Sequence, residues 1–348
     1  MEESLSPTQD EKLKSYKTVC TKLGIVMIVY FVCRILAHFF VYAVSNIDGL
    51  ASSSTLLYFV QTSIMVLLVY IVPTVVAFII FKSAEYYFGE NKLLRRLYEK
   101  PKRLAKALGT FPALYGLGYG VNLLTILAFF LIRVISRNLD VGVEIQQFFE
   151  PLTFEPPKDL ISAFILVFLM VVVAAVVEEF LVRGIMYDAL KPYGAGVAII
   201  ISSVIFGLMH GSLQMFFYTT VLGFALGYIR YATDSLLVVT ILHAMINAVA
   251  AGLMFFLSLI EITDGENVLI ISLSHVYMVA MLALVVLGIV AIIKRIPVIR
   301  RYKITNEWTE ISPKKKIAIF VASVPVIIML ILAIDEHVGN LLIGHILY

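Results

Sequence analysis

The sequence predicts an all-α, polytopic membrane bundle of about nine transmembrane helices, with eight also possible, and a cytoplasmic N-terminus. Three observations carry that prediction. Of 348 residues, 61% are hydrophobic and only 15% are charged, and the mean hydropathy of +0.96 lies far from that of a soluble domain. Apolar runs recur at the length of about 20 residues that a helix needs to cross a hydrocarbon core ~30 Å thick. Lysines and arginines collect in alternate connections, as they do where cytoplasmic loops carry the positive charge.

The chain opens with a polar segment of mixed charge, Met1 to Lys17. The first apolar run, 23–44, is too long for a signal-peptide core and has no convincing small-residue cleavage site, so it reads as a retained helix. Runs at 56–81 and 112–135 follow. The fourth, 160–182, continues as helix to about Leu190 and is stopped by Lys191-Pro192-Tyr193-Gly194, because proline cannot continue the ladder. The fifth and sixth, 195–209 and 215–229, are short and read as a pair broken by Gly211 and Ser212. Runs at 236–257, 268–293 and 317–334 complete the set. Three segments result: 1–159 with the first three helices and a basic loop, 160–257 as a four-helix core, and 258–348 with the last helices and a second basic loop.

Net charge is only +3; its placement says more. Basic residues cluster in the N-terminal tail (Lys12, Lys14, Lys17, Lys22), in 82–106 and in 294–316, whereas 45–55, 261–267 and 335–348 have none. Clusters at the ends of spans are topology determinants touching the inner leaflet, so the partner they imply is the bilayer and not a nucleic acid. The expected location is a cell membrane, crossed many times. The two cysteines, Cys20 and Cys33, offer neither a disulfide framework nor a cysteine-rich zinc site. Gly223 and Gly227 form a GxxxG pair that permits close helix contact and otherwise reads as packing.

Chemistry concentrates in Glu178-Glu179-Phe180-Leu181-Val182-Arg183, directly behind an apolar run. A charge at the centre of a bilayer costs roughly 2.5–3.5 kcal/mol on insertion scales, so adjacent carboxylates there need a reason. Helical spacing stacks Glu179 on Arg183 as an i,i+4 pair and turns Glu178 about 100° away, without that partner. Two histidines lie further on. His210 stands one turn after Phe206, which could wall its ring, and His243 shares a helix stripe with Asn247. At ~1.5 Å per residue, Glu178 lies roughly 18 Å from Lys191, and His210 about 24 Å from Gly194. By the same rise His243 and Asn247 lie about 12 and 18 Å from Ser235. All fall within one band of the membrane.

A carboxylate and a histidine can hold and deprotonate a water, while a second histidine and an amide can donate to an oxyanion. Such a set hydrolyses an acyl bond without a covalent intermediate. Glu178, His210 and His243 could equally bind zinc with water in the fourth position, although no His-Glu-x-x-His helix is present. Ser202, Ser203 and Ser212 stand in no recognisable nucleophile arrangement.

In this order, Glu-Glu-x-x-x-Arg, Phe-x-x-x-His and His-x-x-x-Asn resemble the CPBP family. Its members are the type II CAAX prenyl endopeptidases and prokaryotic relatives linked to bacteriocin processing and self-immunity. The resemblance covers about 160–257 and rests on Glu178, Glu179, Arg183, Phe206, His210, His243 and Asn247. It implies an intramembrane glutamic endopeptidase acting on a membrane-associated protein or peptide, with no metal favoured. Glu178 with His210 would activate the water, His243 with Asn247 would form the oxyanion site, and Glu179 with Arg183 would shape the glutamate end. A rival from another class is a non-catalytic immunity or regulatory membrane protein that keeps the polar network for structure. A transporter is a third reading that intramembrane charges suit, but the sequence shows no paired broken helices in two halves.

Of the other ionisable groups, Arg34 in the first span calls for a carboxylate partner or for snorkelling to the surface. His38 lies near it. His275, His337 and His345 read as interfacial.

Overall fold

The computed structural model describes residues 8–51, 53–81, 104–138, 156–301, 304 and 308–337. Among these residues the chain is helical nearly throughout, with no strand. Most of the basic segment 82–106, the bulk of the 136–159 connection, and His345 lie outside them. The main helices are α1 (Gln9–Ser45), α2 (Ser54–Ile80), α3 (Phe111–Asn138), α4 (Leu160–Tyr193) and α5 (Ala195–Leu208). They are followed by α6 (Leu213–Thr233), α7 (Leu236–Ile262), α8 (Val268–Arg301), α9 (Pro313–Val321) and α10 (Val324–His337).

Their starts follow from local chemistry. Thr8 and Glu11 form a reciprocal capping box on α1. Ser53, Asp159, Ser212, Ser235 and Ser312 each accept a hydrogen bond from the third following amide, at the heads of α2, α4, α6, α7 and α9. These side chains satisfy amides that a helix start leaves free. As expected, α4 ends in a tight turn, Lys191–Tyr193, followed by Gly194 at φ +127°.

Helices stand at every predicted run, but nine spans are not confirmed. Among the described residues six helices are long and apolar enough to cross a membrane, or seven if α9 and α10, bent by 73°, count as one. α5 has 14 residues, a rise of only ~21 Å, short of the ~30 Å core. α6 is long enough at 21 residues but is not apolar enough to count among the spans. Its inner face carries Thr219 and Arg230, both buried at 1% exposure. The two helices form a hairpin packed within the protein.

α7 lies at the centre: 44% of its most apolar window is buried by protein, against 11% for α8. α8 turns Val276 and Leu287 outward, at 65% and 62% exposure, as a lipid-facing helix does. α4 packs along α7, and α5 packs against α6 and the end of α4. α3 pairs with α8 and also touches α6, while α1 lies between α2 and α10. Helices from both ends of the chain therefore flank the segment that carries the motifs. Near the Lys191 end, Arg230 of α6 pairs with Asp188 of α4 at 3.1 Å and with Asp234 at 2.9 Å, tying α4 to the hairpin.

Candidate active site

α4 is not a uniform α-helix. Wide π turns occupy Leu169–Ala174 and Phe180–Met186, and a regular turn, Ala175–Glu179, lies between them. Wide turns shift the backbone ladder by one residue and recur at functional positions. The adjacent carboxylates sit at the end of the regular turn.

Glu179 is fully buried and its Oε1 accepts from Arg183 Nη1 at 2.9 Å and from His243 Nδ1 at 2.9 Å. Its Oε2 is buried without a partner among the described residues. Arg183 is also fully buried, with Cζ 4.0 Å from the centroid of Phe206 and Nη2 3.5 Å from the Gly223 carbonyl. A Cβ on Gly223 would lie 3.1 Å from Ser203 Cα and 3.3 Å from Arg183 Nη2. The first glycine of the GxxxG pair thus brings α6 onto α5 and leaves room for the guanidinium.

Phe206 is the hub of the site. Its ring meets His210 edge-on at 4.8 Å and His243 at 5.6 Å, with Arg183 over its face. His210 Nδ1 lies 2.7 Å from the Phe206 carbonyl. A carbonyl only accepts, so Nδ1 carries the hydrogen and the neutral ring keeps its lone pair on Nε2. A carboxylate oxygen likewise only accepts, so His243 Nδ1 donates to Glu179, and Nε2 turns toward Glu178.

Glu178 takes a different path from Glu179. Its side chain is 12% exposed, and Oε2 lies 3.9 Å from His243 Nε2, beyond a direct hydrogen bond. The Tyr70 side chain of α2 neighbours the Glu178 carboxylate. No direct hydrogen bond joins Glu178 to His210 among the described residues; His243 is the histidine that approaches it. Asn247 lies one turn beyond His243 and donates from Nδ2 to the Met170 carbonyl at 2.8 Å. That carbonyl belongs to the first wide turn of α4, so Asn247 fastens α7 to it and keeps one amide hydrogen.

The structure therefore gathers Glu178, Glu179, Arg183, Phe206, His210 and His243 around one point, with Asn247 a turn away. Ser202 and Ser203 return their hydroxyls to the Ile199 carbonyl, and Ser212 caps α6. Zinc binding needs Glu178, His210 and His243 to converge. Among the described residues no three His, Cys, Asp or Glu side chains form a group that could hold a metal ion. Both histidines hold Nδ1 in a hydrogen bond and leave Nε2 free, as metal-binding histidines also do. His275 donates to its own helix at the Ile271 carbonyl, and the side chain of His337 lies outside the described set.

Sequence reasoning missed Tyr70 and left Arg34 without a partner. Arg34 bonds the Met209 carbonyl at 2.6 Å and pairs with Glu336 of α10. The available signal was its charge inside an apolar run, the same signal that singled out Glu178. A lone tyrosine in an apolar helix carries no comparable signal.

Residues 160–249 match the family model described as "Type II CAAX prenyl endopeptidase Rce1-like". No curated protein and no solved structure matches the chain. The matched segment runs from the start of α4 to two residues past Asn247 and includes every residue of the predicted motifs.

Proposed function

We propose that this multi-pass protein, whose residues 160–249 match the type II CAAX prenyl endopeptidase Rce1-like model, belongs to the CPBP family and is an intramembrane glutamic endopeptidase of the cell membrane. It hydrolyses a peptide bond of a membrane-associated protein or peptide, of the CAAX type or of the bacteriocin or signal-peptide type. The observation that carries this reading is the division of labour between adjacent carboxylates. Glu179 is committed to Arg183 and His243, whereas Glu178 faces His243 Nε2 across 3.9 Å.

In this reading Glu178 is the general base. His210, with Nδ1–H held by the Phe206 carbonyl, offers the Nε2 lone pair to a water hydrogen while Glu178 removes the proton. The resulting hydroxide adds to the peptide carbonyl. His243, carrying a hydrogen on Nε2 as well as on Nδ1, and Asn247, through its remaining amide hydrogen, donate to the oxyanion. On collapse the C–N bond breaks and the proton held by Glu178 passes to the leaving amine, so no acyl-enzyme forms. Arg183 and Glu179 hold His243 in register, and Tyr70 orients the Glu178 carboxylate.

The test is cleavage of a lipid-anchored peptide by the purified protein in vesicles. His210→Ala should cut the rate by roughly 10²- to 10⁴-fold, the usual contribution of a positioned acid–base group. A strong chelator should leave the wild-type rate unchanged. Full activity in His210→Ala would remove that histidine from the mechanism. Loss of activity in chelator, restored by zinc, would replace glutamate chemistry by metal chemistry.

A further inference from the structure

Arg34 lies in α1, outside the segment that matches the family model, yet its guanidinium reaches the end of α5 that carries His210. Nη1 donates to the Met209 carbonyl at 2.6 Å and lies 3.3 Å from the Tyr30 hydroxyl. The Tyr30 hydroxyl donates to the same carbonyl at 2.8 Å. On its other side Arg34 Nε is ion-paired with Glu336 of α10, and the two side chains are only 19% and 17% exposed. Gly211 follows at φ +66°, and a Cβ on it would come within 2.1 Å of Arg34 Nη2. The turn and the guanidinium are built around each other.

Met209 is the residue that ends α5. The last carbonyls of a helix lack partners of their own, and the negative end of the helix dipole favours a cation beside them. Arg34 meets both demands. The Met209 carbonyl and the His210 amide belong to one rigid peptide plane, so fixing that oxygen fixes the His210 backbone. The Phe206 carbonyl then fixes the ring at Nδ1. An arginine and a glutamate largely withdrawn from solvent are a costly way to stabilise a fold, since apolar replacements often serve as well. A planar cation with several donors is suited to hold one carbonyl in one place.

We infer that Arg34, oriented by Glu336, is a positioning residue that sets the turn at Met209–Gly211 and through it the His210 imidazole. The two helices outside the matched segment thereby supply part of the site. The catalytic consequence rests on the endopeptidase reading; the effect on the turn does not.

The experiment compares wild type with Arg34→Gln, Arg34→Lys and Glu336→Gln in vesicles. It measures cleavage kinetics, thermal unfolding and hydrogen exchange of the peptide covering 209–213. Arg34→Gln should lower kcat roughly 10- to 100-fold with KM little changed, the scale of a catalytic group displaced by about 1 Å. Arg34→Lys, which keeps the charge and one donor, should recover part of that loss. Exchange at 209–213 should rise in Arg34→Gln while 240–250 on α7 stays as in wild type. If Arg34→Gln does not fold, Glu336→Gln, which keeps the bond to Met209, gives the same contrasts at smaller amplitude. Wild-type exchange at 209–213, an effect confined to KM, or no rescue by lysine would overturn the inference. If the wild type cleaves nothing, the endopeptidase reading falls alone, and the exchange contrast still decides the role of Arg34.

Discussion

Glu178→Gln should fold normally and show no detectable cleavage of a peptide that the wild type cuts. Glutamine matches the shape of the side chain, but it cannot take a proton. The stabilising pair is elsewhere: Arg183 bonds Glu179, not Glu178, at 2.9 Å. Loss of a general base alone removes roughly 10²- to 10⁴-fold of rate. Here the same carboxylate returns the proton to the leaving amine, so the loss belongs at the upper end of that range. Glu178→Asp, shortened by one methylene, should retain a trace of activity. The measurement is single-turnover cleavage alongside thermal unfolding of each variant. Undiminished cleavage in Glu178→Gln would falsify the assignment of the base. A non-catalytic immunity or regulatory protein makes a different forecast, in which Glu178→Gln keeps the full biological effect because nothing structural has been touched.

The second large effect concerns stability. Arg183→Ala removes the guanidinium that pairs with Glu179, covers Phe206 and reaches the Gly223 carbonyl. Glu179 is fully buried and would keep only His243 as a partner. Removing one side of a buried pair typically costs about 3–5 kcal/mol, because the other charge is stranded. A clear fall in the midpoint of thermal unfolding is the expected result. Arg183→Lys should rescue it poorly, since an ammonium cannot both bond Glu179 and stack on a ring. The double variant Glu179→Gln/Arg183→Met should be more stable than Arg183→Ala, because it leaves no stranded charge. An unchanged midpoint in Arg183→Ala would show that the pair carries none of the stability of the bundle.

What could be read from the sequence divides along a physical line. Interactions within one helix turn were legible. Glu179 and Arg183 stack as i,i+4 residues do, and Phe206 walls His210 one turn on. The break at Gly211 and Ser212 and the stop at Lys191-Pro192-Tyr193-Gly194 follow from residue chemistry in the same way. Depth was legible only as a band, because a rise per residue says nothing about rotation between helices. It therefore did not disclose that His243 approaches Glu178 more closely than His210 does, or that His243 bonds Glu179. The bond from Asn247 to Met170 depends on a wide turn in α4 that no apolar periodicity reports. The count of nine is not confirmed among the described residues for a related reason. α5 is apolar because it packs against protein, and apolarity alone does not distinguish that from contact with lipid.

The hold on the Met209 carbonyl has a consequence in time. Its donor comes from α1 and the carboxylate behind that donor from α10, so the donor is synthesised well before its carboxylate. Membrane helices enter the bilayer in order, and contacts between distant parts of a chain form only after both have arrived. A nascent chain that has already inserted α4 to α7 holds every motif residue but lacks Glu336 to orient Arg34. Such a chain, arrested before α10, should be integrated and exchange faster at 209–213 than the chain that includes α10, and the fall in exchange on adding α10 can be followed with truncated chains of increasing length. The turn that carries His210 is thus set only after α10 has joined the bundle.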